Sequence, residues 1–366
     1  MKKNFFYIAD FSLPNKSAYS LHVLKICDAF NEINKKKILL LLPHVQNDYK
    51  NTKIKKDFLL KFFPSIKFFY STKKRLNLFG RIFFSFKLVK YLKYKKCDLI
   101  ISRSIVPSLI LAVFNIKNVL EIHTELTGFT KYFFLLSKIK FVSRNIKFIF
   151  INDYLRKKFS IKKEKSIILY DAVNHLDFKP SYKKTIKNTC FYSGSFAKGK
   201  GLEIILKVSK KLPNINFHLY GNKDTLYKNK NLEINQKNIF FKGYLTYSKL
   251  VKVIDNYKVL LMPYKNKVGV LIKNINVVKY FSPLKMFDYM ASGKIIIASD
   301  LPVYKNILIN NVNSIVVRDN IKLWSKKINQ CIKSNKFNYL GKEARNNSKR
   351  YSWKKRVIKI IEFNEK

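Results

Sequence analysis

Short apolar runs alternate with amphipathic stretches along this chain, and the alternation starts afresh after a polar segment near its middle. Phe5–Ala9, Ile38–Leu42, Asp98–Ser102, Val119–Ile122, Phe148–Ile151 and Ile167–Tyr170 read as strands, with helical patterns such as Ser20–Asn31 and Gly80–Tyr94 between them. That order gives a parallel sheet with helices on both faces. In the second half Asn188–Ser193, Ile215–Tyr220, Ile239–Lys242, Val259–Met262, Ile295–Ser299 and Ile315–Val317 read as strands. Leu202–Lys211, Tyr247–Asn256 and Leu284–Met290 read as helices, the last stopping near Gly293.

A chain of 366 residues exceeds one typical core and suits two. The expected fold class is α/β: two Rossmann-like, doubly wound parallel-sheet domains facing across a cleft, with ligands at the strand carboxyl ends. The boundaries expected are 1–173 for the first domain, 174–187 for a linker containing Pro180, and 188–348 for the second. Residues 349–366 are expected to form a C-terminal helix that packs back toward the first domain.

Composition narrows the setting. No stretch reaches the ~18 uncharged apolar residues of a membrane span. Met1–Ala9 is basic and then apolar, but too short for a signal peptide and without a small-residue cleavage site. It reads as a first buried strand, so a cytoplasmic location is expected. Cys27, Cys97, Cys190 and Cys331 form no paired spacing, which argues against a disulfide framework or a zinc site. The net charge of +52 has two readings. One is a polyanionic partner, above all an anionic membrane surface. The other is codon bias, since Lys, Asn, Ile, Phe and Tyr are all abundant and the lysines are scattered. Specific nucleic-acid binding is not expected, because no helix-turn-helix, zinc-finger or RNA-recognition signature is present.

Two segments carry chemistry. In FYSGSFAKGKGLEII, residues 191–205, an apolar strand runs into Gly194, Gly199 and Gly201 and then into a helix. Glycines admit close backbone approach and the helix start adds partial positive charge, so the segment suits a phosphate, with Lys200 in reach. An ordinary Gly-rich turn fits it equally. In SPLKMFDYMASGKIIIASDLPVYKNIL, residues 282–308, Ser282 reads as the helix cap and Pro283 as the first helical position. The amides of Leu284 and Lys285 would face an anion, and Asp288 could accept bonds from ribose hydroxyls.

Residues 282–308 resemble the donor-site signature of glycosyltransferase family 4, the group 1 glycosyltransferases of GT-B fold. GSFAKGKG resembles the family's phosphate turn, and NIFFKGYLTYSKL and VLLMPY resemble its base-holding segments. The likeness covers 165–366 well and is looser before that. It implies a retaining transfer of a sugar from a nucleoside-diphosphate sugar to a glycan or lipid-linked acceptor, in surface polysaccharide or lipopolysaccharide biosynthesis. Lys200 would contact the diphosphate together with Gly194, Ser195 and the Ser282–Pro283–Leu284–Lys285 segment. Asp288 would bind the ribose, and Tyr244 and Tyr264 would lie on the donor. His123, after the LEIHTE strand, would sit beside the reacting sugar, which makes His123 and Lys200 the catalytic candidates. Ser17, Ala18, Tyr19 and Ser20 would form an acceptor-side loop.

Two positions depart from the family pattern: Ser195 stands where many members have arginine, and Tyr280 where many have the first glutamate of a Glu-x7-Glu motif. No metal or other cofactor is expected. A catalytically inactive homologue and a basic nucleic-acid-binding protein are the alternatives. Finally, Phe79, Ile82, Phe83, Phe86, Val89 and Leu92 recur at helical spacing beside Arg81, Lys87, Lys90 and Lys93. That stripe reads either as sheet-packing or as a membrane-surface face, with Phe84, Leu88 and Tyr91 outside it.

Overall fold

The computed structural model describes residues 3–34, 36–70, 76–126, 128–181, 185–226, 234–265 and 278–366. These fall into two compact units: Met1–Asp171 with Trp353–Lys366, and Ala172–Ser352.

Unit 1 contains strands β1 (Phe5–Ile8), β2 (Ser12–Leu13), β3 (Leu39–Val45), β4 (Ser65–Tyr70), β5 (Leu99–Ser102), β6 (Asn118–Ile122), β7 (Ile146–Phe150) and β8 (Ser166–Ile168). They pair in the order β2-β3-β1-β5-β6-β7-β8, with β4 also on β3, and every pairing is parallel. The helices are α1 (Ala18–Ile33), α2 (Asn51–Asp57), α3 (Leu78–Leu92), α4 (Ile105–Val113), α5 (Thr130–Leu135), α6 (Lys140–Ser143) and α7 (Asp153–Phe159). Strands β2 and β4 had no counterpart in the sequence reading.

Unit 2 has β9 (Thr189–Ser193), β10 (Asn216–Tyr220), β11 (Ile239–Gly243), β12 (Val259–Met262), β13 (Ile295–Ser299) and β14 (Ile315–Val317). Its order is β11-β10-β9-β12-β13-β14, again all parallel. Helices α8 (Leu202–Lys211), α9 (Tyr247–Val253), α10 (Leu284–Ser292), α11 (Ile321–Lys333) and α12 (Asn338–Ser348) complete it. The central strands β9, β12 and β13 are almost wholly buried, as a sheet covered on both faces requires. The chain reverses direction in each sheet beside its central strand, β1 or β9. The carboxyl ends there are where ligands gather in such sheets.

Residues 349–366 hold a single helix. Helix α12 ends at Ser348, and α13 (Trp353–Glu365) packs on α1 within unit 1. Buried Arg356 of α13 donates to Glu121 and to the carbonyls of Leu169 and Tyr170. Residues 174–187, read as a linker, lie within unit 2 instead. Phe178 there is buried edge-on against Tyr247, and Ser181 donates to Asp255, so the segment is held by packing and hydrogen bonds. Residues 182–184 of it lie outside the described set.

Helix α3 buries Phe84 and Leu88, which the spacing placed outside the stripe, together with Val89 and Leu92 from the stripe itself. Phe84, Leu88, Val89 and Leu92 are in the core, while Phe79, Phe83 and Phe86 are 69%, 65% and 50% exposed. Apolar residues surround most of this helix, so its periodicity alone did not fix which face turns inward.

Candidate active site

Unit 2 builds its site where β9 and β12 end and α8 and α10 begin. Gly201 caps α8 with φ +102°, and a Cβ there would lie 2.0 Å from the Pro263 carbonyl oxygen. Gly194 has φ +149°, and a Cβ there would lie 2.9 Å from Lys285 Nζ. Glycine at these two positions lets the turn fold against β12 and leaves room for an ammonium group.

That group donates to the Ser193 carbonyl at 2.9 Å and stands 4.2 Å from the Tyr192 ring centroid and 4.7 Å from that of Tyr264. Lys200 Nζ lies 5.5 Å and 5.6 Å from the ring centroids of Tyr264 and Phe281. Among the described residues neither ammonium has a carboxylate partner. Burial lowers the Lys200 pKa to about 8. Burial and the charge of Lys200 hold Lys285 well below the usual lysine range. Two desolvated cations side by side on an aromatic floor are unfavourable in the empty protein, and a polyanion between them removes the cost. The second cation here is Lys285, from the helix start. Ser195, at the position of the family's arginine, is exposed, and its Oγ only accepts from the Ala197 amide at 3.2 Å. Lys198 is exposed too.

The cap of α10 differs from the sequence reading. Pro283, with ψ 116°, is the N-cap, and no side chain caps the helix. Proline in that extended conformation starts the helix one residue later, at Leu284; its carbonyl accepts from the Met286 amide at 2.9 Å, and it has no side-chain oxygen to offer the amides of Leu284 and Lys285. Ser282 Oγ is buried without a hydrogen-bond partner. The first turn therefore presents the Leu284 and Lys285 amides uncapped, next to an unused hydroxyl. Asp288, one turn further on, is buried, and Tyr247 donates to its Oδ1 at 3.4 Å. Tyr264 is buried beneath the two lysines, while Tyr244 is exposed beyond β11.

In unit 1 the second catalytic candidate, His123, follows β6 and belongs to a buried polar cluster. Its Nε2 lies 2.9 Å from Glu121 Oε1, and its ring meets that of His22 edge-on at 4.8 Å. Glu121 also accepts from Tyr7 at 2.6 Å and from Arg356, while His22 Nδ1 lies 2.7 Å from Asp171. Burial and the nearby Arg103 charge bring His123 down to about 3 against the pull of Glu121. The imidazole is neutral at physiological pH; Nε2–H donates to Glu121, and Nδ1 is left as an acceptor. His22, Glu121 and His123 place three ligand atoms within 4.8 Å of one another. Arg356 donates to the same Glu121 oxygen that faces both imidazoles, so a cation already occupies their meeting point.

Ser17–Ser20 form the start of α1 and not a loop. Ser17 is the N-cap, its Oγ accepting from the Ser20 amide at 3.2 Å, with Ala18, Tyr19 and Ser20 in the first turn. A serine followed by helix formers has its own cap, which fixes the segment. Sequence reasoning missed the Lys285 side chain, the Glu121–Arg356 pair and Arg103. The only signal for Lys285 was its place in the first turn after Pro283.

Residues 174–352 match the family model described as glycosyl transferases group 1. Among solved structures the chain is similar to HepE of Anabaena in complex with UDP-glucose: TM-score 0.71, 12% identity, 98% of this chain and 99% of that chain. It is similar to a point mutant of S. aureus TarM in complex with fondaparinux, alpha-GlcNAc-glycerol and UDP: TM-score 0.71, 14% identity, 100% of each chain. A third is the lipopolysaccharide outer core galactosyltransferase WaaB: TM-score 0.61, 14% identity, 99% of this chain and 100% of that one. No curated protein matches by sequence. At these identities the likenesses speak for a shared fold.

Proposed function

Residues 174–352 match the model of the group 1 glycosyl transferases, and from that match we propose that this chain of GT-B fold moves a sugar from a nucleoside-diphosphate sugar to a glycan or lipid-linked acceptor. The carrying observation is the pair of ammoniums, Lys200 and Lys285, half-buried against aromatic rings with no carboxylate partner among the described residues, beside an uncapped helix start. The diphosphate would take both lysines, the Leu284 and Lys285 amides and the Ser282 hydroxyl. Asp288 accepts from the ribose, Tyr264 forms the floor and Tyr244 lies toward the base. His123, neutral, accepts from a sugar hydroxyl through Nδ1.

Transfer with retention follows from a same-face displacement. The bond from the anomeric carbon to the diphosphate oxygen breaks as the acceptor oxygen bonds to that carbon. The leaving oxygen takes the acceptor's proton. Negative charge grows on the diphosphate, where two cations and two amides are already oriented, and such preorganised donors are worth ~10²–10³ in rate apiece. The step requires no metal. The solved relatives crystallised with UDP, UDP-glucose and a GlcNAc-glycerol, and the lipopolysaccharide galactosyltransferase among them, support surface-glycan synthesis as the setting. A thermal-shift screen of nucleotide sugars tests the donor: a ligand at 100 times its Kd adds ~2.7 kcal/mol of stability.

We also propose that unit 1 rests on an anionic membrane. Phe79, Phe83 and Phe86 are exposed, Phe86 meets Phe114 at 5.9 Å, and Phe129, Tyr132 and Leu135 are exposed on α5 and just before it. Lys87, Lys90 and Lys93 are exposed on or just after the same helix as the first group. Each basic residue near an anionic leaflet adds roughly 1 kcal/mol. Among the described residues no helix is long and apolar enough to cross a membrane. Sedimentation with anionic liposomes should carry the protein down at low salt, and less so when the three lysines become glutamine or the three phenylalanines become serine. No sedimentation at low salt would defeat this reading.

A further inference from the structure

Unit 1 holds a cavity of about 170 Å³ just beyond the ends of β1, β5 and β6, lined by Asp10, Arg81, Arg103, Ser104, Thr124 and Glu125 among others. Its charges are unevenly satisfied. Asp10 accepts from Arg81 Nε at 2.8 Å and from the Tyr19 hydroxyl at 3.1 Å. Glu125 is paired with Lys158 at 2.6 Å and accepts from Tyr154 at 3.1 Å. Arg103 has no carboxylate within ion-pair distance among the described residues. Its guanidinium lies 4.4 Å from the Tyr19 ring centroid, and its Nη1 is buried without a hydrogen-bond partner.

Stacking on Tyr19 fixes the guanidinium's place and uses none of its N–H donors. A buried charged donor left unmade costs more than a neutral one, so the site is stabilised by an acceptor from outside. Helix α4 begins on the same wall. Its N-cap Ser104 makes no capping bond, and Ser104, Ile105 and Val106 line the cavity, so the positive end of a nine-residue helix faces the same space.

We infer that this cavity binds an oxyanion group of the sugar acceptor, a phosphate or a carboxylate, with Arg103 as its principal ligand. The identification of the ligand as the acceptor rests on the glycosyl-transfer reading above. The volume lies below the ~300 Å³ at which pockets take drug-sized ligands, so it suits one charged group or one ring. Thr124, the residue after His123, lines the same cavity as Arg103, which sets the anion's ligand near the histidine assigned to the reacting sugar.

The full chain is saturated with whichever of UDP, GDP and ADP binds, then titrated calorimetrically with glucose, glucuronate and glucose 1-phosphate. At least one anionic sugar should bind tenfold or more tightly than glucose. The preferred anion tells a carboxylate acceptor from a phosphate one. Arg103→Gln should weaken it roughly tenfold or more, and Arg103→Lys should restore part of the loss. Thr124→Glu puts a carboxylate on the exposed wall and leaves Arg103 in place; it should cause the same loss with an unchanged thermal midpoint. Equal binding of glucose and both anions, or anion binding unchanged in Arg103→Gln and Thr124→Glu, would overturn the inference. Absence of any nucleoside-diphosphate binding would count against the donor reading, and the anion titration would still decide on Arg103.

Discussion

Nucleoside-diphosphate binding to this protein should take up protons at alkaline pH. In the empty protein Lys200 titrates at about 8 against an ordinary 10.5, because burial disfavours its charged form. A bound diphosphate supplies the missing counter-charge and moves it back up. From Lys200 alone, the protonated fraction falls from about 0.9 at pH 7 to about 0.1 at pH 9, so affinity should drop roughly tenfold over that interval. Lys285, also held well below the lysine range, steepens the fall. Calorimetry at pH 9 in two buffers of different ionisation enthalpy should show an uptake approaching one proton from Lys200. Lys200→Met should remove that share. Affinity that stays flat from pH 7 to 9, with no buffer dependence, would refute the two-lysine account of the site.

Three further outcomes follow from the same geometry. Lys285→Met should raise the thermal midpoint of the empty protein, because it removes a partly desolvated cation that has no carboxylate partner among the described residues, and should weaken nucleotide binding at least tenfold; a midpoint that falls without loss of affinity would contradict its role. The wild-type chain should gain stability relative to Lys200→Met as pH rises from about 8 toward 10.5. In that window the unfolded lysine holds more proton than the folded one, so unfolding free energy climbs with pH, as urea denaturation across the range would show. Arg356→Ala should cost ~3–5 kcal/mol, because it leaves the buried Glu121 carboxylate without its cation beneath α13; a loss under 1 kcal/mol in the same assay would mean that the cluster relaxes.

The second half of the chain was the more legible one. Its strands end at Gly194, Gly221, Gly243 and Pro263, and its helix α10 is bracketed by Pro283 and Gly293, so punctuation and period agreed there. Helix α8 runs from Leu202 to Lys211, the limits its amphipathic pattern predicts. Three things escaped. Strand β4 follows Pro64 as an outer strand with mixed burial, so neither alternation nor a continuous apolar run marks it. The facing of α3 could not be read because Phe79, Phe83, Phe84 and Phe86 spread around the helix. The Glu121–Arg356 pair joins residues more than two hundred positions apart, and no local pattern records such a contact. In the site, Lys200 was readable from its glycines. The position of the Lys285 ammonium over Tyr192 depends on how α10 lies against β9, which only the fold decides.

The most direct test of the central claim is nucleoside-diphosphate release from a panel of nucleotide sugars, with and without candidate acceptor glycans and with EDTA present. At least one donor should be turned over in EDTA, and Lys200→Ala should lower the rate by ~10²–10³ while the protein stays folded. Release that Lys200→Ala leaves at the wild-type rate, or that vanishes in EDTA and returns with Mg²⁺, would contradict it.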